Sequence, residues 1–124
     1  MKRLVWKKTE PPYFSTVPEK AGIYIISTRQ ETDHAYEVKF VGQADNLRAR
    51  VMEHWSRKEK NKDLKAHLAE NFVMKFNYAE VESRAEREGM LYYMYEIYDP
   101  LYNRGSPRGK TTIDCSLPEV RKHK

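Results

Sequence analysis

Positions 22–54 read GIYIISTRQETDHAYEVKFVGQADNLRARVMEH, and three side chains there have the makings of a reactive site: Tyr24, Arg50 and His54. Arg50 and His54 stand four residues apart, so on a helix they share one face. A guanidinium grips two oxygens at once, and an imidazole takes up or releases a proton near neutral pH. A phenol, an arginine and a histidine converging on one edge of a sheet would serve chemistry, with an anion to hold and a proton to move. Without that convergence, Tyr24 is a half-buried strand tyrosine packed on Phe40, and Arg50 and His54 are an exposed helix face.

The surrounding pattern predicts the elements that must position these side chains. Gly22 to Ser27 is β-branched and aromatic, a buried strand. Residues 28–35 are polar and make a hairpin loop, and Tyr36 to Val41 alternates as an antiparallel partner ending at Gly42. Asp45 or Asn46 caps a helix that runs to about Arg57, with Leu47, Val51 and Trp55 toward the core. A shorter helix spans Asp63 to Asn71, and Val73 to Val81 alternates as a third strand. Ser83-Arg84-Ala85-Glu86 matches a capping box. It opens a last helix with Met90, Tyr93, Met94 and Ile97 on one stripe, stopping before Pro100. Trp6 to Val17, broken by Pro11 and Pro12, reads as an extended arm laid across the domain. The order β-β-α-α-β-α predicts an α+β fold, a small three-stranded mixed sheet flanked by helices. Residues 1–104 form one domain with its N-terminal arm, and 105–124 form a basic, flexible tail.

Composition narrows the function classes. The chain has 124 residues, 40% hydrophobic and 33% charged, an ordinary balance for one globular domain. The net charge of +5 suits a polyanionic partner such as nucleic acid. Cys115 is the single cysteine, so no internal disulfide forms, and a reducing cytoplasm fits best. No apolar run approaches the roughly 20 residues that span a bilayer. MKRLVWKKTEPPY lacks the apolar core of a secretory signal. His34, His67 and His123 make no metal-ligand spacing with Cys115, which argues against structural zinc. The basic runs Arg57-Lys58, Lys60, Lys62 and Arg121-Lys122 read as solvated faces that attract phosphates without specificity. Tyr92, Tyr93, Tyr95 and Tyr98 read mainly as packing.

The motifs resemble those of the GIY-YIG nuclease domain, whose members include homing endonucleases and the N-terminal nuclease domain of a bacterial excinuclease. Gly22-Ile23-Tyr24 stands intact after Val17-Pro18-Glu19-Lys20. Phe40-Val41-Gly42 matches the second motif, with phenylalanine where tyrosine is usual. Gly42 to His54 follows the spacing G-x-x-x-N-L-x-x-R-x-x-x-H through Asn46, Leu47, Arg50 and His54. Pro100-Leu101-Tyr102-Asn103 resembles the closing P-x-x-N. The likeness spans Val17 to Asn103 and implies a Mg²⁺- or Mn²⁺-dependent endonuclease that hydrolyses DNA phosphodiesters. It implies that Tyr24 acts on the attacking water, that Arg50 holds the scissile phosphate, and that His54 moves a proton or holds Tyr24. Gly22, Phe40, Gly42, Asn46 and Asn103 support them.

The resemblance also implies a metal-binding glutamate on the last helix, nine residues before the closing proline. Leu91 occupies that position. Glu88 lies about 60° away around the helix and is the candidate ligand; as a solvated residue it would instead pair with Arg84. Two other readings stand beside the endonuclease. One is a weak or inactive nucleic-acid-binding module of the same fold; the other is a protein-interaction domain that uses the tyrosine-rich helix. A homodimer or an unidentified partner chain stays open.

Overall fold

A computed structural model describes residues 1–32, 35–56, 59–70, 73–103 and 109–122. The strands are β1 (Lys7–Thr9), β2 (Gly22–Arg29), β3 (Glu37–Ala44) and β4 (Val73–Glu80). The helices are α1 (Leu47–His54), α2 (Lys62–Leu68) and α3 (Arg84–Tyr98), with a 3₁₀ turn at Phe14–Thr16. The fold is α+β, as expected, but the sheet has four strands in the order β1-β4-β2-β3, and every pairing is antiparallel. That corrects the three-stranded mixed sheet. The fourth strand comes from the arm. Lys7, Lys8 and Thr9 carry no apolar alternation of their own; they are recruited by the free edge of β4, opposite Tyr78, Asn77 and Phe76.

The central strand, β2, is covered on both sides, which is why its sequence runs apolar without a break. Tyr24 and Ile26 face one layer with Leu47, Val51, Leu64 and Phe76. Ile23 and Ile25 face the other, with Val41, Met90, Met94 and Tyr98. On α3 the buried stripe is Met90, Met94 and Tyr98, spaced four apart. Ile97, expected on that stripe, is instead exposed at 43%.

Caps fix the helix starts where the sequence placed them. Asn46 accepts from the Ala49 amide at 3.0 Å, and Ser83 accepts from the Glu86 amide at 3.3 Å. Asn61 caps α2 through the Leu64 amide at 3.1 Å. α1 ends at His54 and α2 at Leu68, short of the expected Arg57 and Asn71; those two residues lie outside the described ones, as do His34 and His123.

Residues 109–122 correct the picture of a loose tail. Lys2 forms a parallel bridge with Cys115, and Glu37 forms one with Arg121. The Trp6 indole donates to the Ser116 carbonyl at 2.7 Å, and Cys115 is buried against the α3 layer. Arg87, also buried, pins the turn between β3 and α1. Its guanidinium donates to Gln43 at 3.0 Å, Asp45 at 2.7 Å and the Glu82 carbonyl at 2.7 Å.

Where β2 begins, the backbone admits no side chain. A Cβ on Gly22 would stand 2.2 Å from the Ala79 carbonyl oxygen and 2.7 Å from Leu47 Cδ1. The oxygen belongs to the neighbouring strand and has nowhere to retreat. Gly22→Ala is therefore expected to cost about 1–3 kcal/mol, measured as a lower urea midpoint with an unchanged m-value.

Candidate active site

Tyr24 sits near the start of β2, directly opposite Gly42 on β3. The missing side chain lets its ring lie across that position; a Cβ on Gly42 would come within 2.4 Å of the hydroxyl. Phe76 stacks on the ring at 5.2 Å and Phe40 at 6.2 Å, leaving Tyr24 only 1% exposed. A hydroxyl so placed needs a partner. His54 Nε2 supplies it at 2.7 Å, from the last turn of α1.

His54 is itself buried, edge-on to Phe40 at 5.1 Å. Its Nδ1 lies against Glu59 Oε2, in the loop between α1 and α2. The other carboxylate oxygen of Glu59 accepts from the Asn61 amide at 2.9 Å. Burial pushes the His54 pKa below its ordinary value, the Glu59 carboxylate working against that and the Arg50 charge with it. Burial likewise holds the Tyr24 phenol well above its usual range, and here Arg50 opposes it. At neutral pH both groups are uncharged.

Beside this pair opens a cleft of about 420 Å³, whose lining includes Tyr24, Phe40, Gly42, Arg50, Glu53, Glu59 and Lys60. Arg50 is half-buried and bonds Glu53 at 2.7 Å. The far wall is Leu91 and Tyr95 of α3, with Asn103 beyond the helix end. The Asn103 amide clamps that wall to β3: it accepts from Val41 N at 2.8 Å and donates to Val41 O at 2.7 Å.

Among solved structures, the chain is similar to the GIY-YIG N-terminal endonuclease domain of UvrC from Thermotoga maritima. One point mutant, solved bound to its catalytic divalent cation, superposes with a TM-score of 0.52 at 17% identity, over 74% of this chain and 91% of that one. Two further point mutants of the same domain, also with the catalytic cation, give 0.51 at 16% identity over the same shares. The chain has a GIY-YIG-like fold. No family model and no curated protein matches it.

Within that fold, Tyr24 lies beside both Arg50 and His54, and Phe40, Gly42 and Asn103 line the cleft that Tyr24 and Arg50 share. Gly22 and Asn46 act at a distance, through strand packing and the α1 cap. Glu88 does not join them. It is not among the cleft-lining residues, and its carboxylate lies 3.6 Å from Arg84, one turn back on α3. The core stripe of Met90, Met94 and Tyr98 sets the helix rotation, and that rotation turns Leu91 and Tyr95 inward. Glu59, Lys60 and Tyr95 line the cleft without any sequence signal that places them there. Glu59 stands in the charged run SRKEKNK, where nothing distinguishes a buried carboxylate from a solvated one.

The donor set at the cleft differs from the α3 glutamate that the GIY-YIG resemblance implies for a divalent cation, an ion with which the structural neighbours were solved. Such ions take carboxylate and carbonyl oxygens. The α3 wall offers the cleft a leucine and a phenol. Of the carboxylates that line it, Glu53 is engaged by Arg50, and Glu59 by His54 and Asn61. Among the described residues no group of three His, Cys, Asp or Glu side chains is placed to hold a metal.

The depressed pKa of His54 has a consequence for stability. The unfolded chain takes up its proton near pH 6.5, whereas the folded protein does so only at lower pH. Acidification from about 6.5 downward therefore favours unfolding. The melting temperature of the natural protein is expected to fall more steeply between pH 6.5 and 4 than that of His54→Gln, checked by thermal melts across that range.

Proposed function

We propose that this chain cleaves nucleic-acid phosphodiester bonds, with DNA as the expected substrate. The observation that carries the reading is the Tyr24 hydroxyl held 2.7 Å from His54 Nε2 at the cleft that Arg50 also lines. The GIY-YIG-like fold and the net charge of +5 support a polyanionic substrate.

In this reading Arg50 and Lys60 meet the phosphate's charge. A guanidinium in a partly dry cleft holds two phosphate oxygens and strengthens its grip as negative charge builds in the transition state. A water poised at Tyr24 attacks phosphorus. Its proton passes to the phenolic oxygen as the phenol's own proton moves to His54 Nε2. The ester P–O bond breaks, and the departing alkoxide takes a proton from solvent. Phe40 keeps the ring packing of a tyrosine without its hydroxyl, and Tyr24 is the phenol hydrogen-bonded to His54. Because α3 brings a leucine and a tyrosine to the cleft and no carboxylate, no step is assigned to Mg²⁺ or Mn²⁺.

Leu91 on the α3 wall favours a second reading, a module of the same fold that binds nucleic acid without cutting it. Nicking of supercoiled plasmid, with EDTA, Mg²⁺ or Mn²⁺ and in parallel with salt-dependent DNA binding, separates the two. The expected result is nicking that survives EDTA and falls about 10²-fold or more in Arg50→Ala. Nicking that requires Mg²⁺ would return a cation to the cleft. No nicking, with salt-sensitive binding weakened in Arg50→Ala, would leave the second reading.

A further inference from the structure

We infer that Glu59 is a positioning residue: its carboxylate sets which nitrogen of His54 carries the proton, and so the direction in which Tyr24 gives its proton up. This rests on the reading of the cleft as one that cleaves phosphodiesters.

A neutral imidazole has one N–H and one lone pair, and an ionised carboxylate only accepts. Glu59 Oε2 lies in charge contact with Nδ1, and a carboxylate there favours a proton on that nitrogen over a lone pair. Nε2 is then left with its lone pair, so the Tyr24 hydroxyl, 2.7 Å away, must be the donor in their hydrogen bond. That direction matters. The phenolic proton already points at its acceptor; one lone pair of the phenolic oxygen accepts from the Arg50 guanidinium, and the other is left for a water in the cleft. Were the tautomer reversed, Nε2–H would donate to the phenol and have no lone pair for the proton. The relay would be blocked at its first transfer.

Glu59 is held for this work. Its side chain is 2% exposed, and the Asn61 amide fixes its second oxygen at 2.9 Å. Asn61 in turn caps α2 and donates to the Tyr102 carbonyl at 2.6 Å. When His54 takes the phenolic proton it becomes an imidazolium in a buried place, and Glu59 is the counter-charge beside it. The other groups around the ring are Tyr24 from β2, the uncharged Phe40 from β3, and Arg50 and Glu53 from α1. Arg50 disfavours the imidazolium; Glu53 and Glu59 favour it. After turnover the imidazolium returns its proton to solvent.

The test substitutes Glu59→Gln, which keeps the shape but offers an amide that donates as readily as it accepts, with Glu59→Asp as a second variant that keeps a carboxylate. Two readouts are taken on each protein: the plasmid-nicking rate, and the ¹⁵N shifts of the His54 ring, which distinguish the Nδ1–H form from the Nε2–H form. The expected result at pH 7 is Nδ1–H in the natural protein and loss of that preference in Glu59→Gln. Nicking should fall about 10²-fold or more in Glu59→Gln, with partial recovery of both readouts in Glu59→Asp. An Nε2–H ring in the natural protein, or a Glu59→Gln variant that keeps both tautomer and rate, would overturn the assignment. If the natural protein nicks no plasmid, branched or single-stranded DNA, the functional reading fails. The ring shifts then still decide what Glu59 does to His54.

Discussion

A phenol buried at the centre of a sheet must be hydrogen-bonded, and much of this domain is arranged around that one requirement. The Tyr24 hydroxyl is met by His54, whose second nitrogen must be met by Glu59. The second oxygen of Glu59 is met by the backbone of Asn61, which also caps α2 and holds the Tyr102 carbonyl. A single succession of polar obligations thus ties β2 to α1, to the loop after it, to α2 and to the segment beyond α3. Removing any one member leaves a buried group without its partner, a loss larger than the net worth of the bond itself. Satisfying burial and moving a proton fall to the same side chains.

The charge balance at the cleft bears on how an anion enters. Arg50 is held by Glu53 at 2.7 Å, with each side chain about one-third exposed, 34% and 35%. Pairs at this depth contribute about 0–1 kcal/mol, so exchanging the carboxylate for a phosphate costs little. Glu59 is different: buried and engaged at both oxygens, it is not displaced by an incoming anion. One carboxylate acts as a placeholder for substrate, the other as part of the wall.

Much of this was legible in the sequence, and the gaps have physical causes. β2, β3, β4 and the three helices could be read because apolar spacing, capping residues and turn chemistry agree over each segment. The convergence of Tyr24, Arg50 and His54 followed from helical spacing together with the motif that precedes it. β1 was hidden because Lys7-Lys8-Thr9 has no pattern of its own and is a strand only through the edge of β4. Glu88 misled because a helix's rotation is decided by which stripe packs: Met90, Met94 and Tyr98 take the core, and a residue 60° from Leu91 can lie inside or outside the cleft. Glu59 could not be seen because burial of a loop carboxylate depends on a histidine that reaches it only in the folded chain.

Residues 109–122 close over the α3 layer, with Cys115 buried beneath the chain's opening residues and its thiol pushed up to about 11 by burial. As the single thiol in the sequence, it makes the segment its own reporter. A maleimide or disulfide reagent reaches a thiol as buried as this only when the segment lifts. When closing is faster than labelling, the reaction rate in native buffer then measures the free energy of that local opening, separately from global unfolding. The closing segment therefore supplies a kinetic window on subglobal motion in the α3 layer, which lies across the sheet from Tyr24 and His54.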